Sequence, residues 1–168
     1  SDVYKRQVDD KVTIDAQGNA THQTTINYAW TIAGQNYGLP LYRDYVRIYV
    51  PPGSALKSQN GWQPQGTTEG FGREVWTGFF TLTYGQTRTI TLTWTVPHAA
   101  TKEGNNWQYQ YLIQRQAGTQ WMVHVQVALP SCAVVNTTQG AMVASSERVA
   151  TFVHPLNQDM DPGVNYHC

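Results

Sequence analysis

The sequence predicts an all-β protein, an immunoglobulin-like antiparallel β-sandwich of eight or nine strands. Two observations support this class: apolar residues recur with a period of two, and Gly and Pro punctuate the chain while helical periodicity is absent. The clearest strand spans 89–96, where Ile90, Leu92, Trp94 and Val96 alternate with threonines. Such alternation places one face in a core and leaves the other in water.

The same alternation predicts the other strands. A strand over 20–32 puts Thr24, Ile26, Tyr28, Trp30 and Ile32 on one face, and Val12 and Ile14 precede it across a hairpin-like turn at 16–19. The remaining predicted strands span 45–50, 75–84, 87–96, 107–116, 120–129 and 148–154. The intervening stretches are predicted loops, at 33–41, 57–74, 97–106, 130–146 and 155–168.

A length of 168 residues suits a single domain, which we assign to 8–168 with 155–168 as an irregular tail. The opening residues 1–7 do not lead into the strand pattern, and we expect them to be a non-native or disordered scar. No internal repeat or linker divides the chain. We expect it to be a fragment of a longer protein.

The amino-acid composition limits the classes of partner that the chain is expected to bind. Lys plus Arg and Asp plus Glu each number 11, so the net charge is zero and no basic footprint for nucleic acid is present. No apolar run is long enough to predict a membrane span. Charged residues are only 13% of the chain, and a neutral surface rich in hydroxyl and amide groups fits an extracytoplasmic β protein.

Two cysteines, Cys132 and Cys168, fit neither a metal cluster nor a dithiol motif. A disulfide between them would stabilise the fold by roughly 3–4 kcal/mol through closure of its loop. Two unpaired thiols, one in a loop and one at a frayed end, are the alternative.

Three segments in order resemble a known family. They are 42–54 (YRDYVRIYVPPGS), the stretch 79–97 with its Phe-Phe-Thr-Leu and Val-Pro ends, and 111–119 (YLIQRQAGT). Together, within residues 8–130, they resemble the C-terminal β domain of the bacterial envelope family catalogued as domain of unknown function four-zero-one-two. The resemblance implies an extracytoplasmic location and a membrane anchor in the full-length protein. It brings no catalytic residues.

The sequence shows no catalytic constellation, which predicts that the chain is not an enzyme and needs no cofactor. No serine lies in a nucleophile elbow, the acids form no evident pair, and the five histidines are best explained as surface residues. Cys132 beside His154 or His167 would be the one route to a Cys–His hydrolase. Four arginines lie in or beside predicted strands: Arg43, Arg47, Arg88 and Arg115. One of them could pair with Asp44 or Glu74, or stack on Tyr45 or Tyr49, and we expect a solvated or cross-strand ion pair rather than a functional contact.

One segment near the end of the sequence resembles a calcium-binding loop. Asn157, Asp159 and Asp161 place oxygen ligands at every second residue. Pro162 stands where such loops carry Gly, and Cys168 replaces the closing Glu. We therefore predict that no metal binds and that this segment is a polar tail. Calcium binding is the weaker alternative.

The aromatic residues suggest a ligand-binding face. Tyr37, Trp62 and Trp107 lie in or beside predicted loops, where exposed rings could stack on sugars. The alternative is that they cap the ends of the sandwich, because Trp is highly buried on average.

The leading hypothesis is a non-catalytic structural or interaction module of an extracytoplasmic bacterial cell-envelope protein. Its partner would be an envelope protein or polysaccharide. The alternative is a carbohydrate-binding β-sandwich domain that uses the loop aromatics.

Overall fold

The computed structural model describes residues 4–30, 42–70, 73–83, 85–111, 121–157 and 159–168. They form fourteen strands, so the expected count of eight or nine is wrong, while the all-β class is confirmed. The strands are β1 (Tyr4–Ile14), β2 (Ala20–Trp30), β3 (Tyr42–Val50), β4 (Ala55–Asn60), β5 (Gln63–Gly70), β6 (Arg73–Leu82), β7 (Thr87–Val96), β8 (Ala100–Glu103), β9 (Asn106–Gln110), β10 (Met122–Ala128), β11 (Val134–Gln139), β12 (Val143–Ala144), β13 (Val149–Pro155) and β14 (Gly163–His167).

The largest sheet has seven strands in the order β12-β13-β10-β1-β2-β7-β4. Its pairs are antiparallel except β1 with β10, which run parallel, so the expected purely antiparallel arrangement is not observed. The β1–β2 hairpin is closed by Asp15, whose carboxylate accepts hydrogen bonds from the Gln17 and Asn19 amides at 2.9 Å each.

Two smaller sheets complete the fold. β11-β14-β9-β8 form a four-stranded sheet, and β3-β6-β5 form a three-stranded one. Among the described residues there is no long apolar helix of the kind that crosses a bilayer.

Several stretches expected to be loops contain strands. They are 57–74 (β4 and β5), 97–106 (β8), 130–146 (β11 and β12) and 155–168 (β14). β4 exposes nearly all of its residues, and β11 is mostly polar, so neither shows the alternation that reveals a half-buried strand. At the other end, residues 4–7 of the expected scar begin β1 and pair with β2.

One apolar cluster draws residues from all three sheets. The predicted inward face of 89–96 is confirmed: Ile90, Leu92, Trp94 and Val96 are all buried. On β10, Val123, Val125 and Val127 are buried in the same way. Ile32, predicted to extend the β2 face, lies outside the described residues.

Candidate functional site

A tight turn between β4 and β5 builds one wall of a pocket. Gly61 has a φ of +91°, and a Cβ added there would lie 2.1 Å from the carbonyl oxygen of Thr89 on β7. Only glycine accepts both this backbone conformation and this close approach. The next residue, Trp62, packs its indole against Gly78 of β6, where an added Cβ would lie 2.3 Å from the ring.

The pocket beside this turn has a volume of about 390 Å³. It is lined by Gly61, Trp62, Gln63, Phe79, Phe80, Thr81 and Arg88, residues of the turn, β5, β6 and β7. Among the described residues of the lining there are three aromatic side chains, one guanidinium and no carboxylate. Aromatic side chains beside a few hydrogen-bonding groups are a combination found in small-molecule sites.

Two N–H donors of this lining are buried without a hydrogen-bond partner: Trp62 Nε1 and Arg88 Nε. Arg88 does donate from Nη2 to the carbonyl oxygen of Thr81, at 3.1 Å. The side chains of Asp44 and Glu74, named above as partners for one of the strand arginines, are outside the described part. Buried donors are nearly always paired in native proteins, so two orphans in one lining distinguish this pocket.

A second polar cluster lies in the interior, centred on Asp10 of β1, which is 2% exposed. Its Oδ2 accepts hydrogen bonds from Tyr111 Oη and His22 Nδ1, each at 2.7 Å, and its Oδ1 accepts one from Thr24 Oγ1 at 3.0 Å. Three donors therefore converge on one buried carboxylate, the arrangement that a buried charge requires.

The cluster extends to β7. Trp94 Nε1 donates to Thr24 Oγ1 at 2.9 Å, and the Trp94 ring stacks on His22 with centroids 3.7 Å apart. Because Tyr111 directly follows β9, the network joins the seven-stranded sheet to the four-stranded one. We call Asp10, His22, Thr24, Trp94 and Tyr111 the interior network.

Burial, followed by the charge of Asp10, raises the pKa of Tyr111 well above its ordinary value near 10. The pKa of Tyr109 is raised for the same two reasons. Both phenols therefore stay neutral at physiological pH, and Tyr111 serves as a hydrogen-bond donor to Asp10.

The interior network was missed from the sequence, where histidines were expected on the surface. His22 is 4% exposed, so that expectation is wrong for this residue. The signal was present: Asp10 shares the parity of Val12 and Ile14, and His22 shares that of Thr24 and Ile26.

Of the predicted ligand-binding aromatics, the structure describes Trp62 and Trp107, which lie on different elements. Trp62 lies in the pocket and is 7% exposed. Trp107, on β9, is half-buried, stacks on Tyr166 at a centroid distance of 6.2 Å, and has Lys102 Nζ 5.8 Å from its ring. Tyr37 is outside the described residues.

Cys132 and Cys168 form a disulfide, with Cα atoms 4.9 Å apart. The bridge uses the thiol that a Cys–His hydrolase would need, so that hypothesis is excluded. His154 and His167 contact other groups instead: His154 Nδ1 lies 2.7 Å from the Pro155 carbonyl oxygen, and His167 Nδ1 lies 2.6 Å from Asn136 Oδ1.

The segment that resembles a calcium-binding loop is exposed at Asn157, Asp159 and Asp161. Its main chain runs against the four-stranded sheet, where the Asp161 carbonyl oxygen accepts a hydrogen bond from Gln110 Nε2 at 2.8 Å. In the described part of the chain, no three His, Cys, Asp or Glu side chains are grouped to hold a metal ion.

The chain matches no family model and none of the curated proteins. Solved structures do share its fold. One, described as a nutrient binding protein of Legionella pneumophila, is 9% identical with a TM-score of 0.57 and aligns over 96% of this chain and 67% of that one.

The second is native leukotriene A4 hydrolase of Saccharomyces cerevisiae, 9% identical with a TM-score of 0.53 over 96% of this chain and 29% of that one. Its bestatin complex gives 8% identity and a TM-score of 0.52 over 96% and 28%. An M1 zinc metallopeptidase of Deinococcus radiodurans is 12% identical, with a TM-score of 0.49 over 98% of this chain and 42% of that one.

At such identities the likeness to the Legionella protein and the yeast hydrolase shows a shared fold. It nevertheless overturns the prediction that the chain is not an enzyme, because this arrangement of strands makes up 29% of the chain of a hydrolase. The chain spans less than a third of that hydrolase.

Proposed function

We propose that this chain is a β domain of a larger hydrolase, in which it acts as a structural and interaction module beside a catalytic domain. One observation supports this most: the strand arrangement accounts for 96% of this chain but only 29% of the yeast hydrolase. The same fold thus occurs as one part of a longer enzyme. We propose likewise that the substrate and the partner domain are those of this larger hydrolase.

We further propose that the protein works outside the cytoplasm, in the bacterial cell envelope. The disulfide between Cys132 and Cys168 supports this location, because such bridges persist in oxidising compartments and are rare in the cytosol. The low share of charged residues is in keeping with it.

We also propose that the seven-stranded and four-stranded sheets pack face to face as a sandwich of immunoglobulin-like type. Two contacts between them support it. Tyr111 Oη donates to Asp10, and the Ala100 amide donates to the Gly18 carbonyl oxygen at 2.9 Å.

The hydrolase proposal is tested on the full-length natural protein, isolated from its source with an antibody against this chain. We expect a polypeptide severalfold longer than 168 residues that hydrolyses fluorogenic aminoacyl or ester substrates and is inhibited by bestatin, the ligand of the yeast hydrolase complex. A full-length protein that consists of this fold alone and hydrolyses none of these substrates would contradict the proposal.

The location is tested separately, by trapping free thiols with a membrane-impermeant maleimide in intact cells and then reducing and labelling again. We expect Cys132 and Cys168 to resist the first label and to accept the second. Free thiols at both positions in intact cells would contradict an oxidising compartment.

Carbohydrate binding is the second candidate. Of the two described aromatic candidates, only Trp107 is more than slightly exposed, so this function would depend on it. Binding on a glycan array that disappears in Trp107→Ala, in a protein without hydrolase activity, would favour this candidate over the first.

A further inference from the structure

The pocket beside Trp62 combines aromatic side chains with hydrogen-bond donors that lack acceptors. Trp62 is 93% buried, and its Nε1 has no partner. Arg88 Nε, in the same lining, is also buried without one. An orphaned buried donor costs the free energy of its lost hydration, and a bound acceptor would recover it.

The charge of the pocket favours an anion as that acceptor. Arg88 is the cation among the lining residues that the structure describes, and none of these residues carries a carboxylate. Within the described residues no acidic side chain forms an ion pair with Arg88, since its hydrogen bond goes to the Thr81 carbonyl oxygen. A guanidinium with free N–H groups in a partly desolvated site is well suited to a carboxylate.

The rest of the wall favours an apolar body on that anion. Trp62, Phe79 and Phe80 contribute aromatic surface, and the volume of about 390 Å³ suits a small ligand or one terminal residue of a peptide. A carboxylate has two oxygens, so it can accept more than one hydrogen bond.

We propose that this pocket is a binding site for a carboxylate attached to an apolar or aromatic group. Trp62 Nε1 and Arg88 would donate to the carboxylate oxygens, and the aromatic rings would pack on the apolar body. The site is distinct from the interior network and does not depend on the hydrolase proposal, because it rests on the pocket residues alone.

The test uses the chain itself and two matched probes, N-acetylphenylalanine and its amide, which differ in the carboxylate only. The six indole N–H resonances are followed by ¹H–¹⁵N NMR, and that of Trp62 is assigned from its loss in Trp62→Phe. We expect the acid to shift the Trp62 resonance in a saturable way, and the amide to bind at least about tenfold more weakly, because a hydrogen bond to a charged group is about twice as strong as a neutral one.

Arg88→Gln removes the positive charge and keeps a polar side chain. We expect it to weaken binding of the acid by about 10- to 100-fold, the loss of a charge-assisted hydrogen bond. Arg148→Gln is the matched control, since Arg148 is exposed and outside the pocket lining, and we expect affinity within about twofold of wild type. Thermal melts of each variant check that it is folded.

Two more probes identify the source of the carboxylate. Phenylacetate represents a free organic acid, and a tripeptide ending in Phe represents a peptide C-terminus. Binding of either supports the carboxylate proposal and names the source. The proposal would be overturned if acid and amide bound equally, if no acid moved the Trp62 resonance, or if folded Arg88→Gln bound the acid as wild type does.

Discussion

The interior network and the Trp62 pocket both bury polar side chains, but they do so in opposite ways. Around Asp10, three donors meet one carboxylate at 2.7–3.0 Å, and every partner belongs to the protein. In the pocket, Trp62 Nε1 and Arg88 Nε are buried with no acceptor. The first arrangement is complete without a ligand, whereas the second is incomplete.

This difference separates structural from functional polarity. A fully paired buried network ties sheets together and is costly to disturb, because removing one member strands the others. Buried unpaired donors cost folding free energy, so their presence is better explained by something they bind. Mutations in the interior network should therefore affect stability, and mutations in the pocket should affect binding.

The largest effect is expected at the centre of the interior network. Asp10→Ala leaves His22, Thr24 and Tyr111 without their shared acceptor, so we expect the free energy of unfolding to fall by about 3–5 kcal/mol. Urea denaturation followed by tryptophan fluorescence measures it. Asp9→Ala is the matched control on the adjacent, less buried position, with an expected change within about 0.5 kcal/mol. Equal effects of the two variants would show that the network is not structural.

The disulfide is expected to rank next. Its partners are 36 residues apart, and it closes the stretch that contains β11 to β14 and hence half of the four-stranded sheet. The double variant Cys132→Ser, Cys168→Ser should lose about 2–4 kcal/mol of unfolding free energy, because the unfolded chain gains the freedom of the opened loop. Wild-type protein unfolded with and without reductant is the control. Identical midpoints in both conditions would contradict the bridge.

An alkaline pH dependence should reveal the phenol of the interior network. The folded-state pKa values of Tyr109 and Tyr111 lie well above the value near 10 of the unfolded chain. Their contribution to stability is therefore complete below pH 10 and is lost as the pH rises towards the folded-state values. We expect a slope of at most about 1.4 kcal/mol per pH unit for each tyrosine above pH 10.

Tyr111→Phe is the control for this dependence, since it removes one of the two phenols. Its unfolding free energy should fall less steeply above pH 10 than that of wild type, in paired urea titrations from pH 8 to 11. Equal slopes would mean that Tyr111 does not keep its proton in the folded protein.

The smallest effect on stability is expected in the pocket. Arg88→Met keeps the apolar stem and replaces a partly unpaired guanidinium, so we expect the unfolding free energy to change by no more than about 1 kcal/mol. The same denaturation assay measures it alongside Asp10→Ala. A loss as large as that of Asp10→Ala would place Arg88 in the structural class and remove the contrast.

Alternation in the sequence predicted the all-β class and much of the core. The inward faces of β7 and β10 follow directly from a period of two in apolar residues. The same rule fails for β4 and β11, which are held at sheet edges by main-chain hydrogen bonds and expose polar side chains. Their pairing depends on partners distant in sequence, which local pattern does not reveal.

Asp10 and His22 show a different limit. Both have the parity of a buried face, yet a charged residue at the edge of an apolar run is normally taken as the end of that run. Only the convergence of β1, β2 and the residue after β9 gives Asp10 its three donors.

The pocket was half predictable. Trp62 stood out as an aromatic residue in an expected loop, but Arg88 and Phe80 did not. They reach Trp62 because Gly61 approaches Thr89 and because Gly78 leaves room for the indole. Such long-range fits between glycine and a neighbouring strand have no signature in one sequence.

The most direct test of the contrast is the unfolding free energy measured against the concentration of N-acetylphenylalanine, for wild type and Arg88→Gln together. A ligand that binds only the folded protein stabilises it by mass action, by about 1.4 kcal/mol at ten times its dissociation constant. We expect this rise in wild type and, at the same ligand concentration, a rise of at most about 0.4 kcal/mol in Arg88→Gln, which binds at least about tenfold more weakly. An equal rise in unfolding free energy in the two proteins, or no rise in wild type, would contradict the claim that the unpaired donors of the pocket bind a carboxylate.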